Sequence, residues 1–154
     1  MLIEKRITEL GFTLPKVPKA AGIYSQCRSF GEKFVYISGC GTAINGKDTY
    51  LGKLGLDLTV EEGQCAAKNC ILNALAVLKL NIRSLDNIKS FVKILAFVAS
   101  SNDFYDQPKV VDGATKLLCD IFGDEVGVGA RSAIGTNVLP GNIPVEIEIL
   151  LELK

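Results

Sequence analysis

The chain has 154 residues, 48% of them hydrophobic and 22% charged, which suits one globular domain with a single core rather than two. Lys plus Arg and Asp plus Glu both total 17, so the net charge is zero, and no basic stripe or block of like charge points to nucleic acid. Histidine is absent, which excludes Ser-His and Cys-His nucleophilic dyads, histidine general-base chemistry and His-ligated zinc.

In chain order, LIEKRITEL (residues 2–10) places Leu2, Ile3, Ile7 and Leu10 near helical spacing and ends at Gly11, which predicts a short amphipathic helix. FTLPKVPKAAG reads as an extended loop. KFVYISG (33–39) is β-branched and aromatic, and predicts a strand that is apolar on both faces. Asn45-Gly46 within INGKD marks a turn. Thr59 and Glu62 form a capping box. Ala66, Ile71, Leu72, Leu75, Ala76 and Leu78 then continue a helical stripe to about Leu80. Ser84 to Ile88 predicts a short turn. FVKILAFVAS (91–100), broken only by Lys93, predicts a central strand covered on both faces. A second long helix starts near Gln107, with Pro108 in its first turn and Gly123 past its end. RSAIGTNVL and VEIEILLEL supply two last strands, joined through Leu-Pro-Gly-Asn (139–142). The expected organisation is a single domain over 1–154, with an N-terminal helix at 1–11 and a core at 12–154. The pattern is α+β, with helices on one face of a mixed sheet.

The N-terminal stretch MLIEKRITELGF forms no apolar h-region, and no stretch approaches the length of a membrane span, so a cytoplasmic protein is expected. Cys27, Cys40, Cys65, Cys70 and Cys119 are odd in number and contain no CxxC pair. In an unexported chain they read as buried free thiols, with Cys65 and Cys70 both in the core. The glycines of SGCGTA and GVGARS lack the third glycine and the strand–turn–helix context of a dinucleotide fingerprint. There is no P-loop, and the carboxylates are too dispersed for a metal cluster.

Four segments interrupt apolar structure with polar or small residues: AGIYSQ (21–26), SGCG (38–41), ARS (130–132) and VEIE (145–148). Together with FVYISG, the capped helix, SLDNI, SNDF and ARSAIGTNVLP, they resemble the reactive-intermediate deaminase family, also called the RidA or YjgF/UK114 family. DLTVEEG and QPKVVDGA look most like its longer second subgroup. The resemblance implies a fold similar to Bacillus-type chorismate mutase, with two main helices on one face of a mixed sheet. It also implies a homotrimer with interfacial clefts, and hydrolysis of enamines and imines such as 2-aminoacrylate to 2-keto acids and ammonia. No metal or organic cofactor, nucleic acid or membrane is implied.

Under that resemblance Arg131 clamps the substrate carboxylate, because a guanidinium offers two parallel donors and stays charged. Glu146 orients or deprotonates a water, with a neighbouring arginine favouring its ionised form. Tyr24, Ser38, Gly39 and Cys40 contact the substrate. The plain alternatives are a solvated strand arginine, a tyrosine buried for packing, Ser38 and Gly39 as a strand end, and Cys40 as a small buried hydrophobe. Glu146, Glu148 and Glu152 could equally share a wet face, a reading that suits Glu148 and Glu152. Arg131 and Glu146 are expected on adjacent strands at a shared pocket. Ala133 stands where the better-known branch often has a cysteine, and Cys40 where it commonly has glutamine. Asp112 occupies the region of a polar ligand contact. The alternatives to a deaminase are a non-catalytic binder of small carboxylates and, against the zero net charge and missing histidine, a ribonuclease.

Overall fold

Thr59 starts the longest helix of the computed structural model, which describes residues 2–154. Its hydroxyl accepts from the Glu62 amide and the Glu62 carboxylate accepts from the Thr59 amide, so the reciprocal cap expected from the sequence forms. The chain runs α1 (Leu2–Glu9), β1 (Cys27–Phe30), β2 (Phe34–Cys40), α2 (Val60–Ile82), β3 (Ile88–Ala99), α3 (Gln107–Phe122), α4 (Asp124–Gly127), β4 (Ala130–Thr136) and β5 (Val145–Leu153). Asn45 and Gly46 take positive φ, 53° and 78°, and Ile44 and Lys47 exchange both backbone hydrogen bonds across them at 3.0 Å. That is the two-residue turn expected there. Pro108 lies in the first turn of α3, and Gly123, at φ 82°, ends it.

The strands form one sheet in the order β1-β2-β5-β3-β4. Only β3 and β4 are parallel, as the crossover through α3 requires; the other neighbours are antiparallel. Strand alternation then decides which side chains meet the helices. Val35 and Ile37 of β2, Ile94, Ala96 and Val98 of β3, and Ile147, Ile149 and Leu151 of β5 are all 0% exposed. They share one core with Ile71, Leu75 and Leu78 of α2 and Val110, Leu117 and Leu118 of α3. Burial of each such aliphatic side chain contributes about 1.5–3 kcal/mol before chain entropy is counted.

The opposite face corrects two expectations. Phe34 and Tyr36 of β2 are 38% and 40% exposed, and Val92 of β3 is 37% exposed. Lys93, Leu95 and Phe97 are half-buried. Neither strand is covered on both faces within one chain, because α2 and α3 lie on the same side of the sheet. A third correction concerns α2. It has 23 residues with a mean hydropathy of 1.2, long and apolar enough to cross a membrane, yet 61% of that stretch is buried inside the fold. It is the core helix of this domain.

A fourth correction concerns the thiols. All five are free, but only Cys40 and Cys70 are buried; Cys27 and Cys119 are half-buried and Cys65 is exposed. Cys65 lies in the second turn of α2, ahead of the stretch from Cys70 to Leu78 that is buried on every side of the helix, so it stays in solvent while Cys70 enters the core.

Candidate active site

The register between β2 and β5 shifts between Ile37 and Cys40, so Ser38 and Gly39 fall in a bulge and the strand continues to Cys40. They do not end the strand, as the sequence suggested. The Ser38 hydroxyl donates to Ser25 O at 2.7 Å and its amide donates to Gln26 O at 3.0 Å, which fastens the AGIYSQ segment along the bulge. Gln26 Nε2 donates in turn to Pro18 O at 2.8 Å and holds the proline loop beside it. These contacts wall a hollow of about 310 Å³. Tyr24, Ser38, Gly39, Cys40 and Glu146 line it, with Pro140, Gly141 and Ile143 from the β4–β5 connection. A second hollow, about 280 Å³, lies at the ends of β3 and β4 and is lined by uncharged residues, among them Ser101, Asn102 and Thr136. The first holds a carboxylate and the second does not.

Gly39 has a steric reason. A Cβ built there would run into Glu146 Oε1, and the Glu146 Cδ lies only 2.7 Å from the same point. The missing side chain makes room for the carboxylate over the bulge. Burial, then the charge of Glu148, raises the Glu146 pKa above the ordinary carboxylate value. Among the described residues no ion pair or hydrogen bond reaches it, so the expected neighbouring arginine is not there. Glu148 accepts instead from Tyr36 Oη at 2.7 Å, and Glu152 pairs with Lys89 at 2.9 Å, as the wet-face reading of those two residues has it.

Cys40 is 6% exposed. Burial, followed by the Glu146 charge, pushes its thiol up to about 12, so it lines the hollow as a small hydrophobe and not as a nucleophile. Tyr24 is 48% exposed at the rim, and its hydroxyl accepts from the Ala21 amide at 3.3 Å. It is not the buried tyrosine of the packing alternative.

Arg131 lies elsewhere. β3 intervenes between β4 and β5, so Arg131 and Glu146 are not on adjacent strands. Arg131 is in register with Ile94, and Glu146 with Phe97. Three residues along an unbulged stretch of strand put the two side chains on opposite faces. Arg131 takes the helix face, where Nη1 donates to Asp112 Oδ1 at 2.7 Å and to Thr115 Oγ1 at 3.2 Å. The short link from β4 to β5 suggested neighbours, but the parallel crossover gives β5 the central place and leaves β4 at the edge.

The residues missed by sequence reasoning are the fixers. Asp112 stands out as a polar contact but not as the partner of Arg131. Asp112 and Thr115, three apart, share a helix face, which is the signal that pairs them. Asn69 and Asn73 break the apolar stripe of α2 at i, i+4. Asn69 Nδ2 donates to Thr42 O, and Asn73 Nδ2 donates to Gly41 O and Ala43 O, so both hold the loop beside Cys40. Among the described residues no three His, Cys, Asp or Glu side chains converge as a metal would need.

A five-stranded mixed sheet with its helices on one face, carrying this bulge and hollow, defines an α+β protein of the chorismate mutase-like type. Residues 4–153 match the profile of the YjgF/chorismate mutase-like endoribonuclease family, and the chain belongs to that family. It is 35% identical over 152 residues to Protein TCP17 of Trypanosoma cruzi, covering 99% of this chain and 94% of that one. The crystal structure of Atu1372 from Agrobacterium tumefaciens, a protein of unknown function, matches with a TM-score of 0.91 and 38% identity over 99% of this chain and 93% of its own. Escherichia coli TdcF, solved with bound serine, shares the fold at a TM-score of 0.65 and 20% identity, over 90% and 94% of the two chains.

Proposed function

We propose that this protein hydrolyses reactive 2-imino and enamino acids of the 2-aminoacrylate type to 2-keto acids and ammonia, without a metal or organic cofactor. The observation that carries the reading is the Glu146 carboxylate. It is half-buried over Gly39, faces a hollow rimmed by Tyr24 and Ser38, and has its pKa raised by burial. A carboxylate so raised is a stronger base toward water. The iminium form of the substrate already has an electrophilic C2, so holding one water against it supplies much of the rate. Water adds to C2 as Glu146 takes its proton, and that proton passes to nitrogen. Ammonia then leaves as the carboxylate takes the hydroxyl proton and the C=O bond forms, and that proton passes to the released ammonia, which departs as ammonium with Glu146 ionised again.

The substrate carboxylate goes to Arg131, the residue the family resemblance assigns to it. Arg131 and Glu146 lie on opposite faces of one chain, so the reading requires a cleft between copies, with Arg131 of one copy completing the hollow of another in a homotrimer. Exposed Phe30, Phe34, Tyr36 and Ile134 on the sheet support a partnered surface. Serine in TdcF supports a ligand of amino-acid size.

The test is release of 2-keto acid and ammonia from freshly generated 2-aminoacrylate by wild type and Arg131→Ala, with the oligomer mass measured for both. Turnover lost in a folded trimeric variant is expected, and an active variant defeats the reading. One observation favours a second reading, a non-catalytic binder of small carboxylates: Arg131 and Glu146 lie on opposite faces of one chain, so a clamp for a carboxylate can act there without the water-orienting group. Thermal stabilisation by a 2-keto acid without turnover of any imine would select it.

A further inference from the structure

We propose that Asp112 is the specificity-determining residue of the Arg131 subsite: it pins the guanidinium through Nη1 and makes the subsite prefer a carboxylate that travels with a cationic nitrogen over a plain carboxylate. The inference rests on the reading of Arg131 as a carboxylate clamp.

Both bonds that hold Arg131 end on the same nitrogen, Nη1, at 2.7 Å to Asp112 and 3.2 Å to Thr115. Nε and Nη2 have no partner among the described residues. Those two N–H groups form the side-on fork that meets both oxygens of a carboxylate. The Arg131 side chain is 23% exposed and that of Asp112 60% exposed, so a ligand can approach the fork while the anchor remains in water. The anchor therefore aims the guanidinium without filling it.

The anchor is also an anion. A carboxylate in the fork lies about 7 Å from the Asp112 oxygens, and at an effective dielectric between that of a protein surface and that of water their repulsion lowers affinity roughly fivefold to tenfold. An ammonium or iminium nitrogen on the carbon next to the ligand carboxylate offsets that repulsion through its own attraction to Asp112. A 2-keto acid has no such nitrogen. The substrate of the proposed reaction is a zwitterion and its organic product is a plain anion, so this arrangement favours product departure.

Pyruvate and L-alanine share a carboxylate and a methyl group and differ in having a carbonyl or an ammonium at C2. Their affinities are to be measured by calorimetry on wild type, Asp112→Asn and Arg131→Ala, with melting temperatures checked. Asp112→Asn keeps an acceptor for Nη1 and removes the charge. It is expected to tighten pyruvate about fivefold to tenfold, not to tighten L-alanine, and so to narrow the ratio. A merely structural role for Asp112 would move both ligands together. Loss of both ligands in Arg131→Ala with an unchanged ratio in Asp112→Asn overturns the Asp112 assignment alone. Wild-type affinity for both in Arg131→Ala overturns the clamp and this inference with it, as does a wild type that binds neither.

Discussion

Asn73 is the residue on which the wall of the hollow depends. It is 3% exposed in the middle of α2, and its Nδ2 donates to Gly41 O at 2.9 Å and to Ala43 O at 2.8 Å. Asn73→Ala removes both bonds and leaves two backbone carbonyls short of a partner. Each lost bond costs about 1 kcal/mol, and the unfilled space adds a comparable amount, for a total of about 2–4 kcal/mol. Against a typical domain stability of about 5–15 kcal/mol, that is a large share. Asn73→Asp keeps the shape but turns an acceptor toward two carbonyls, so it costs more. Urea unfolding followed by circular dichroism gives the difference at constant slope, and thermal melting gives the same order of variants. Gly41 lines the hollow, so the alanine variant also binds small carboxylates more weakly. An Asn73→Ala protein within about 0.5 kcal/mol of wild type would refute the argument that Asn73 holds this loop, since changes of that size are typical of surface sites.

Three further outcomes can be checked. The raised Glu146 pKa means that folding disfavours the ionised carboxylate, so the penalty is absent at acid pH and complete above the folded pKa. Glu146→Gln therefore raises the melting temperature at neutral pH while abolishing turnover, and its stability gain fades as the pH falls toward the usual carboxylate value of 4.5. An equal gain at every pH would sink that reading. Gly39→Ala forces the Glu146 carboxylate off the bulge. It costs about 1–3 kcal/mol as overpacking, and turnover drops as it does without the carboxylate; full activity would rule the steric argument out. Iodoacetamide modifies Cys65 first and leaves Cys40 and Cys70 untouched until the chain is unfolded, as peptide mass spectrometry can follow. Native labelling of Cys40 as fast as Cys65 would contradict its burial.

Local rules accounted for much of the fold. The Thr59 capping box, the Asn45-Gly46 turn, Pro108 at the start of α3 and Gly123 at its end each depend on residues a few positions apart, and each formed as read. The ordered segments AGIYSQ, SGCG, ARS and VEIE point to the family that the match over residues 4–153 shows, because several short segments in order are specific where each alone is not. Tyr24, Ser38, Gly39, Cys40 and Glu146 did come together around one hollow. Covered faces are less legible. An apolar strand residue looks the same whether a helix of its own chain covers it or nothing does, and Phe34 and Tyr36 proved exposed.

The long helices, the central strands and the family are legible in the amino-acid sequence, since capping, turn formation and periodicity act over a few residues, whereas the short β1 and α4 carry too few residues to show a period and were not expected. Which side chains meet follows from the packing of the whole sheet. The parallel crossover set β3 between β4 and β5, separated Arg131 from Glu146, and gave Arg131 to Asp112 at 2.7 Å, a residue 19 positions away. The bulge at Ser38 and Gly39 and the carboxylate seated over it depend on the register of β2 against β5, two strands more than a hundred residues apart. Register follows from how the buried faces of the whole sheet pack against α2 and α3, and no local stretch of sequence contains that sum.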